Sequence, residues 1–583
     1  MTTKSPGISF RWLVVPAADC DPPSKELIGG KAWSLWRMRS LGLRVPPAFV
    51  VTTEACDNYF SGGCRLPVGL ADELRAGVRL LEDELDRRFG GPERPLLLSV
   101  RSGSAVSMPG MMDTVLNLGV NADVADAIAA ETGFPEFGAE LHRRFCAFYG
   151  RLVLGCCEEI DELDSAAAVQ AVVEQETGES IPDDPWEQLE AAIGAVFSSS
   201  RSRRAVAYRQ HHGIPQDLGT AVTVQAMVFG NLDDTSGTGV LFTRNPLTGS
   251  DCMYGEYLPG GQGEDVVSGR VTPQRLDYLA ERLPGVHAEL TAAARVLDAD
   301  GRDAQDIEFT VQSGALYLLQ SRAAKRTARA AVRIAVDLAR QGIISPDEAV
   351  QRVKADQVRA LLRPQIEEGA AARAEELAAG TTACPGAATG LAVATPEEAQ
   401  AMPGAILVRR TTSPEDIHGM IAASAVVTEQ GGSTSHAAVV SRSLDTPCVV
   451  GCGNGAMAAL VGRIVTVDAT AGRVYAGELP MTHPMEADDP DLRQLSEWAR
   501  NRSPVRVAAP GEAVPVPTFD SGSDLDTVPV IPPGTRAVRG LYFQTDAGVA
   551  AAVAAGVETV VATHALPVLL TAVAAAGKRK GES

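Results

Sequence analysis

Several common signals are missing from these 583 residues, and each absence excludes something. The ten cysteines contain no C-x-x-C pair and no zinc-type cluster. That argues against a disulfide framework and a zinc module. With no secretory leader in view, the thiols read as reduced ones in a cytoplasmic protein. Basic charge is in deficit, with 52 Lys and Arg against 73 Asp and Glu and a net charge of −21. Neutralising nucleic-acid phosphates needs the opposite surplus, so no nucleic-acid partner is expected and small-molecule chemistry becomes the default. Long apolar runs are scarce as well. The stretch 559–576, TVVATHALPVLLTAVAAA, is interrupted by His564 and Pro567 and dominated by weakly apolar Ala, so no membrane partner is expected. Hydrophobic residues still make up 45% of the chain, enough for real cores, and the length divides into roughly three or four domains.

Residues 1–325 mix β-rich and helical runs with Gly-rich turns, the pattern of a large α+β domain. From 326 to 380 the composition shifts to Ala, Arg, Glu and Leu, and AAVRIAVDLARQG and EEGAAARAEELAAG read as linking helices. Residues 381–478 form a compact α/β pattern: AILVRR as a strand, SPEDIHGMIAA as a helix capped by Ser413, then SAVVT, a histidine-bearing helix, TPCVVG and the RIVTVDATAGRVYAG hairpin. Residues 479–583 follow, dense in Pro, Asp and Ser between 509 and 534 and expected to be partly irregular.

One of only eight histidines stands in TEQGGSTSHAAVV, 428–440. A strand ending at Thr428, a turn through two glycines and a cap from Ser433, Thr434 or Ser435 would start a helix near His436. A first-turn imidazole is kept neutral by the helix dipole, and the exposed N–H groups welcome an added phosphoryl group. The plainer alternative is a capping or surface histidine.

Lys31, after a Gly-Gly turn, and Arg101, flanked by Ser99, Ser102 and Gly103, are cations suited to phosphate oxygens; each could also be an ordinary surface cation. Ser236-Gly237-Thr238-Gly239 suits either backbone approach to phosphates or an ordinary tight turn. In DIEFTVQSGALYLLQSR, a three-residue loop at Gln312-Ser313-Gly314 would put Asp306, Glu308, Gln320 and Arg322 on one face, whereas a two-residue loop would separate Glu308 from Gln320. The first arrangement gathers oxygen ligands for Mg²⁺ beside a cation; the alternative use is a solvated strand face.

These segments together resemble the pyruvate, phosphate dikinase family. The signature T-x-x-G-G-x-T-S-H-A-A, with CPGAATG (384–390), TTSPEDIHGM (411–420) and TPCVVGCG (446–453), resembles its phosphohistidine domain. IGGKAWSLWRMRSLGLRVPPAFVVTTEAC, LLLSVRSGSAVSMPGMMDTVLNLG, VQAMVFGNLDDTSGTGVLFTRNPLTG and GEYLPGGQGEDVVSG are similar to its ATP-grasp nucleotide domain, although Ala32 and Ser34 replace the family's usual Gly and Asn. The resemblance implies a multidomain α/β and α+β chain: an ATP-grasp domain at 1–325, a helical linker at 326–380, a swivelling phosphohistidine domain at 381–478 and a truncated barrel-like remnant at 479–583. It implies that His436 is phosphorylated from ATP with Mg²⁺, that Lys31, Arg101, Glu308, Gln320 and Arg322 bind ATP, and that Glu308 and Gln320 hold the metal. It also makes Thr434 a candidate regulatory phosphorylation site. Inorganic phosphate is the expected co-substrate, and pyruvate or phosphoenolpyruvate, or a separate acceptor chain, the expected acceptor; a homodimer is compatible with this reading. A complete family barrel needs about 250 residues, and about 100 follow residue 478. Alternatives are a phosphoenolpyruvate synthase-like enzyme and a non-enzymatic nucleotide-binding phosphocarrier. A rifamycin phosphotransferase would need more than the roughly 55 residues between the two units.

Overall fold

The computed structural model describes residues 11–15, 23–106 and 114–581, without 158, 212, 217, 268–271, 363–364, 368, 445, 483, 515, 522–528 and 541. Its N-terminal body carries two five-stranded sheets. The first contains β1 (Leu13–Val14), β2 (Ala48–Val51), β3 (Leu98–Gly103), β4 (Thr114–Leu118) and β5 (Ala221–Ala226), in the order β1-β2-β5-β3-β4. The second contains β6 (Gly237–Phe242), β7 (Tyr254–Pro259), β8 (Gln274–Arg275), β9 (Gln305–Gln312) and β10 (Ala315–Ala323), in the order β8-β7-β6-β9-β10. Helix α1 (Lys25–Ser40) is kinked at Gly29, whose φ of +75° lets the chain lie against β3; a Cβ there would stand 2.0 Å from the Gly103 carbonyl oxygen. This contact brings Lys31 alongside the end of β3. Helix α2 (Arg203–His211) follows the helical layer on the first sheet.

The β9–β10 hairpin corrects the sequence reading. Ser313 and Gly314 have φ of 47° and 74°, and Gln312 pairs with Ala315, so the loop has two residues, with the positive φ at both central positions that such turns require. A β-bulge then restores the face. Phe309 pairs with Leu318, but Glu308 pairs with Gln320 and Asp306 with Arg322, leaving Leu319 as the extra residue. The bulge does what the third loop residue was expected to do.

Three helices follow: α3 (Ala328–Arg340), capped by Thr327, α4 (Pro346–Arg352), and α5 (Ala355–Leu361). The helical reading of EEGAAARAEELAAG fails. Ala371–Arg373 is a single 3₁₀ turn, and β11 (Glu376–Ala379) pairs with residues 473–475; this tertiary pairing overrides a helical composition.

β11 opens the inserted domain, an eight-stranded sheet with β12 (Thr381–Cys384), β13 (Ala387–Val393), β14 (Ile406–Arg409), β15 (Ala425–Thr428), β16 (Cys448–Val450), β17 (Ile464–Asp468) and β18 (Arg473–Ala476). The order is β11-β18-β17-β13-β14-β15-β16-β12, and β13 to β16 run parallel. Helix α6 (His436–Leu444) lies between β15 and β16 in the chain. Entry and exit are tied together, because Gln365–Ile366 pairs antiparallel with Met481–Thr482.

The last unit begins with α7 (Pro490–Arg502). Four parallel strands, β19 (Arg506–Ala508), β20 (Thr518–Asp520), β21 (Ala537–Arg539) and β22 (Thr559–Val561), are ordered β19-β22-β21-β20, so the last strand pairs with the first. Helices α8 (Asp546–Ala554) and α9 (Ala565–Gly581) complete it. The region expected to be irregular therefore contributes β20 to a sheet, while residues 522–528 lie outside the described set. Leu566, Leu569 and Leu570 of α9 join a core with α3, α4, α5, α7 and Phe242, while Val568 and Ala572 join the sheet core beside Val538 and Val560. Burial on two sides explains why this segment is apolar all round. Among the described residues, no helix is long and apolar enough to cross a membrane.

Candidate functional site

The paired face of β9 and β10 holds Asp306, Glu308, Gln320 and Arg322. Arg322 Nε donates to Asp306 Oδ2 at 2.8 Å, and Arg101 Nη2 donates to Glu308 Oε2 at 2.9 Å, an ion pair that bridges the two sheets. Burial pushes the Glu308 carboxyl up, but Arg101, Arg322 and Lys31 outweigh it and hold the group below the usual carboxylate range. For Asp306 burial wins, raising the carboxyl despite Arg322. Asp306 Oδ1 and Gln320 Oε1 are buried without a hydrogen-bond partner. Orphaned acceptors of this kind each cost about 1–3 kcal/mol unless a cation or donor meets them.

His436 is the first residue of α6. Its Nδ1 lies 3.2 Å from Thr412 Oγ1, and its Nε2 is buried with no partner. Burial drives the imidazole pKa down to about 4, against the upward pull of Asp416 and Glu415. Burial, rather than the helix dipole, is thus the leading cause of its neutrality. In the tautomer that donates Nδ1–H to Thr412 Oγ1, Nε2 keeps its lone pair.

The loop before His436 is held by the other body. Glu256 on β7 accepts from the Ser433 backbone N–H at 3.1 Å, from Ser433 Oγ at 2.6 Å and from Thr434 Oγ1 at 2.7 Å. These hydroxyls were candidate helix caps; instead they make interdomain contacts, and Ser435 occupies the cap position, its carbonyl accepting from Val439 N–H at 2.9 Å. Arg204 on α2 donates to Glu415 at 3.1 Å, a second bridge across the same seam. Sequence reasoning passed over Glu256, Arg204 and Thr412. Thr412 and Glu256 both lay inside quoted segments, TTSPEDIHGM and GEYLPGGQGEDVVSG, but for Glu256 and Arg204 nothing local marks a partner so distant in the chain.

Lys31, Arg101, Glu308, Gln320, Arg322 and His436 all line one cleft of about 1100 Å³, as do Asp306, Thr412 and Thr434. Every candidate residue is therefore brought together. Ser236-Gly237-Thr238-Gly239 is mostly strand rather than a tight turn, and Thr238 and Gly239 line the cleft; a Cβ on Gly239 would come within 2.5 Å of the Glu256 carbonyl oxygen, so strand packing calls for the glycine. Residues 107–113 of the SMPGMMD segment lie outside the described set.

Residues 66–295 match the family model described as pyruvate phosphate dikinase, AMP/ATP-binding domain, and residues 401–472 match that described as PEP-utilising enzyme, mobile domain. Arg101 falls in the first stretch and His436 in the second. The chain is 42% identical over 533 residues to a pyruvate, phosphate dikinase of Rhizobium meliloti, covering 83% of this chain and 59% of that protein. It is 43% identical over 524 residues to the chloroplastic pyruvate, phosphate dikinase 1 of Zea mays, covering 83% and 55%. The corresponding Arabidopsis thaliana protein is 42% identical over 514 residues, covering 82% and 53%. The chain thus spans somewhat more than half the length of these curated relatives.

Proposed function

For a chain that belongs, by its nucleotide-binding and mobile domains, to the pyruvate, phosphate dikinase family, we propose that a phosphoryl group passes from ATP to Nε2 of His436 and travels on that imidazole to an acceptor. The observation that carries this reading is the shared cleft: a buried, neutral, unpartnered Nε2 faces the same space as Lys31, Arg101, Arg322 and the Asp306–Glu308–Gln320 face.

Lys31 and the guanidinium groups of Arg101 and Arg322 bind phosphate oxygens and keep the polyphosphate in line with Nε2. Thr412 holds Nδ1 and thereby fixes which nitrogen attacks. The N–P bond forms as the bond between the α- and β-phosphoryl groups breaks, the γ-phosphoryl passes to inorganic phosphate, and AMP and pyrophosphate leave. The residues fit Mg²⁺: Glu308 and the orphaned oxygens of Asp306 and Gln320 would hold it. Among the described residues no three His, Cys, Asp or Glu side chains form a metal cage. When bound, Mg²⁺ neutralises phosphate charge.

One imidazole cannot reach ATP and a distant acceptor together, so the domain beyond the paired tethers swings. A phosphoryl group on Thr434 would set anion against the Glu256 carboxylate, so modification there would oppose docking. We read the four-stranded C-terminal unit as an abbreviated barrel, and the acceptor as pyruvate or a separate chain carrying the acceptor site.

The test uses ATP labelled separately at the β and γ positions, with Mg²⁺, with and without phosphate. Acid-labile β label on the wild type, lost in His436→Ala and on chelation of the metal, is the expected result. No label on the wild type under either condition refutes the proposal.

A further inference from the structure

Cys384 on β12 and Cys448 on β16 are register partners on neighbouring antiparallel strands, just past an irregularity between Thr382 and Cys384 that leaves Ala383 unpaired. Both are buried in one apolar cluster, which also holds Ala383 and Val450. Opposed residues in such a pair have Cα atoms about 4.5–5.5 Å apart. A disulfide spans roughly 4.4–6.8 Å, a range that includes this ordinary cross-strand spacing. Neither thiol is in a disulfide here.

The pair lies beneath the histidine helix. Arg442 Nη1 on α6 donates to the carbonyl of Ala383, next to Cys384, at 3.2 Å, and to the carbonyl of Ser433 in the histidine loop at 2.8 Å. Its Nε and Nη2 have no partners, and its charge acts on both thiols. A buried cation favours the thiolate. Burial opposes it and pushes the Cys448 thiol up to about 12, with Ser441 and Arg442 pulling the other way. The apolar cluster that holds the two thiols also takes in Ala205 and Tyr208 of α2, from the N-terminal body. When the domain leaves, the cluster loses those two side chains.

We propose that Cys384 and Cys448 are an oxidisable dithiol, a modification site shielded while His436 faces the nucleotide cleft and opened when the domain swings away. With a hydroperoxide as oxidant, one thiolate takes the terminal oxygen, the O–O bond breaks and an alcohol leaves. The resulting sulfenic sulfur is attacked by the second thiol, the S–S bond forms and water leaves. Two thiols lose two electrons and two protons, and the hydroperoxide becomes alcohol and water. The new bond pins β12 to β16 and pulls on Ala383, through which Arg442 reaches the histidine loop. The shielding rests on the proposed swing; the dithiol itself rests on strand register alone.

The full chain is exposed to hydrogen peroxide, alkylated and digested without reduction, with and without Mg²⁺ and a non-hydrolysable ATP analogue. A linked Cys384–Cys448 peptide is expected in the wild type, reversed by reductant and absent in Cys384→Ala and Cys448→Ser. Its formation should slow about tenfold or more with the analogue, because oxidation then waits for domain opening. Oxidation of exposed Cys64 and Cys157 without any linked peptide would overturn the dithiol. A linked peptide forming at one rate with and without the analogue, in protein whose His436 still takes label, would overturn the shielding. Linkage in protein whose His436 takes no label supports the dithiol and sinks the phosphotransfer reading alone.

Discussion

Removing the Glu256 carboxylate should uncouple nucleotide binding from histidine phosphorylation. Glu256 accepts three hydrogen bonds from Ser433 and Thr434 at 2.6–3.1 Å and does not line the nucleotide cleft. A hydrogen bond to a charged group is worth about 1.5–3 kcal/mol, and three bonds to one partly buried carboxylate do not add fully, so Glu256→Ala should remove about 2–4 kcal/mol from the docked state. That shifts the ratio of docked to undocked protein by roughly thirtyfold to several hundredfold. The assay is single-turnover labelling of His436 from β-labelled ATP, beside an independent measurement of nucleotide affinity. Labelling should slow by at least about tenfold at saturating ATP with nucleotide affinity unchanged, and Glu256→Gln, which keeps an acceptor oxygen but no charge, should fall between. Wild-type labelling in Glu256→Ala, or slowing matched by weaker nucleotide binding, would refute the latch.

Thr412→Val removes the Nδ1 partner of His436 and frees the imidazole to adopt the wrong tautomer; labelling should drop by about tenfold with ATP affinity intact, measured by the same turnover assay. Acid should unseat the inserted domain. His436 has a pKa of about 4 when docked against an ordinary value near 6.5, so between these limits the undocked state binds the proton first. Docking is then fully favoured above about pH 7, weakens as pH falls through 6.5 toward 4, and is read by interdomain energy transfer; a flat profile in wild type, or an unchanged slope in His436→Gln, contradicts the assignment.

The histidine site was legible because its chemistry is local: glycines, hydroxyls and His436 lie within a few residues, and α6 begins at the histidine. The acidic face on β9 and β10 was also legible, but by the wrong route. Periodicity could show that Glu308 and Gln320 share a face only if one residue were added, and could not show whether the loop or a bulge at Leu319 supplied it. Reading 376–379 as helix failed because Ala and Glu propensity is weaker than pairing with Arg473–Ala476. Glu256 stayed hidden for a different reason. Its function exists only when two separately folded units meet, and no pattern along one strand encodes a surface on the other.

The two short strands that tie residues 365–366 to 481–482 make the domain's points of entry and exit neighbours. A unit inserted through such a narrow gate can be excised on paper by a short turn, leaving the helices α3, α4, α5, α7 and α9 to close the same core. What excision would sacrifice is proximity. A tethered partner meets its site at an effective concentration that is millimolar for short flexible links, whereas the same domain added in trans must be supplied at that concentration to keep pace. On the proposed swing, the ribbon is a leash whose length sets how often the histidine would return to the cleft.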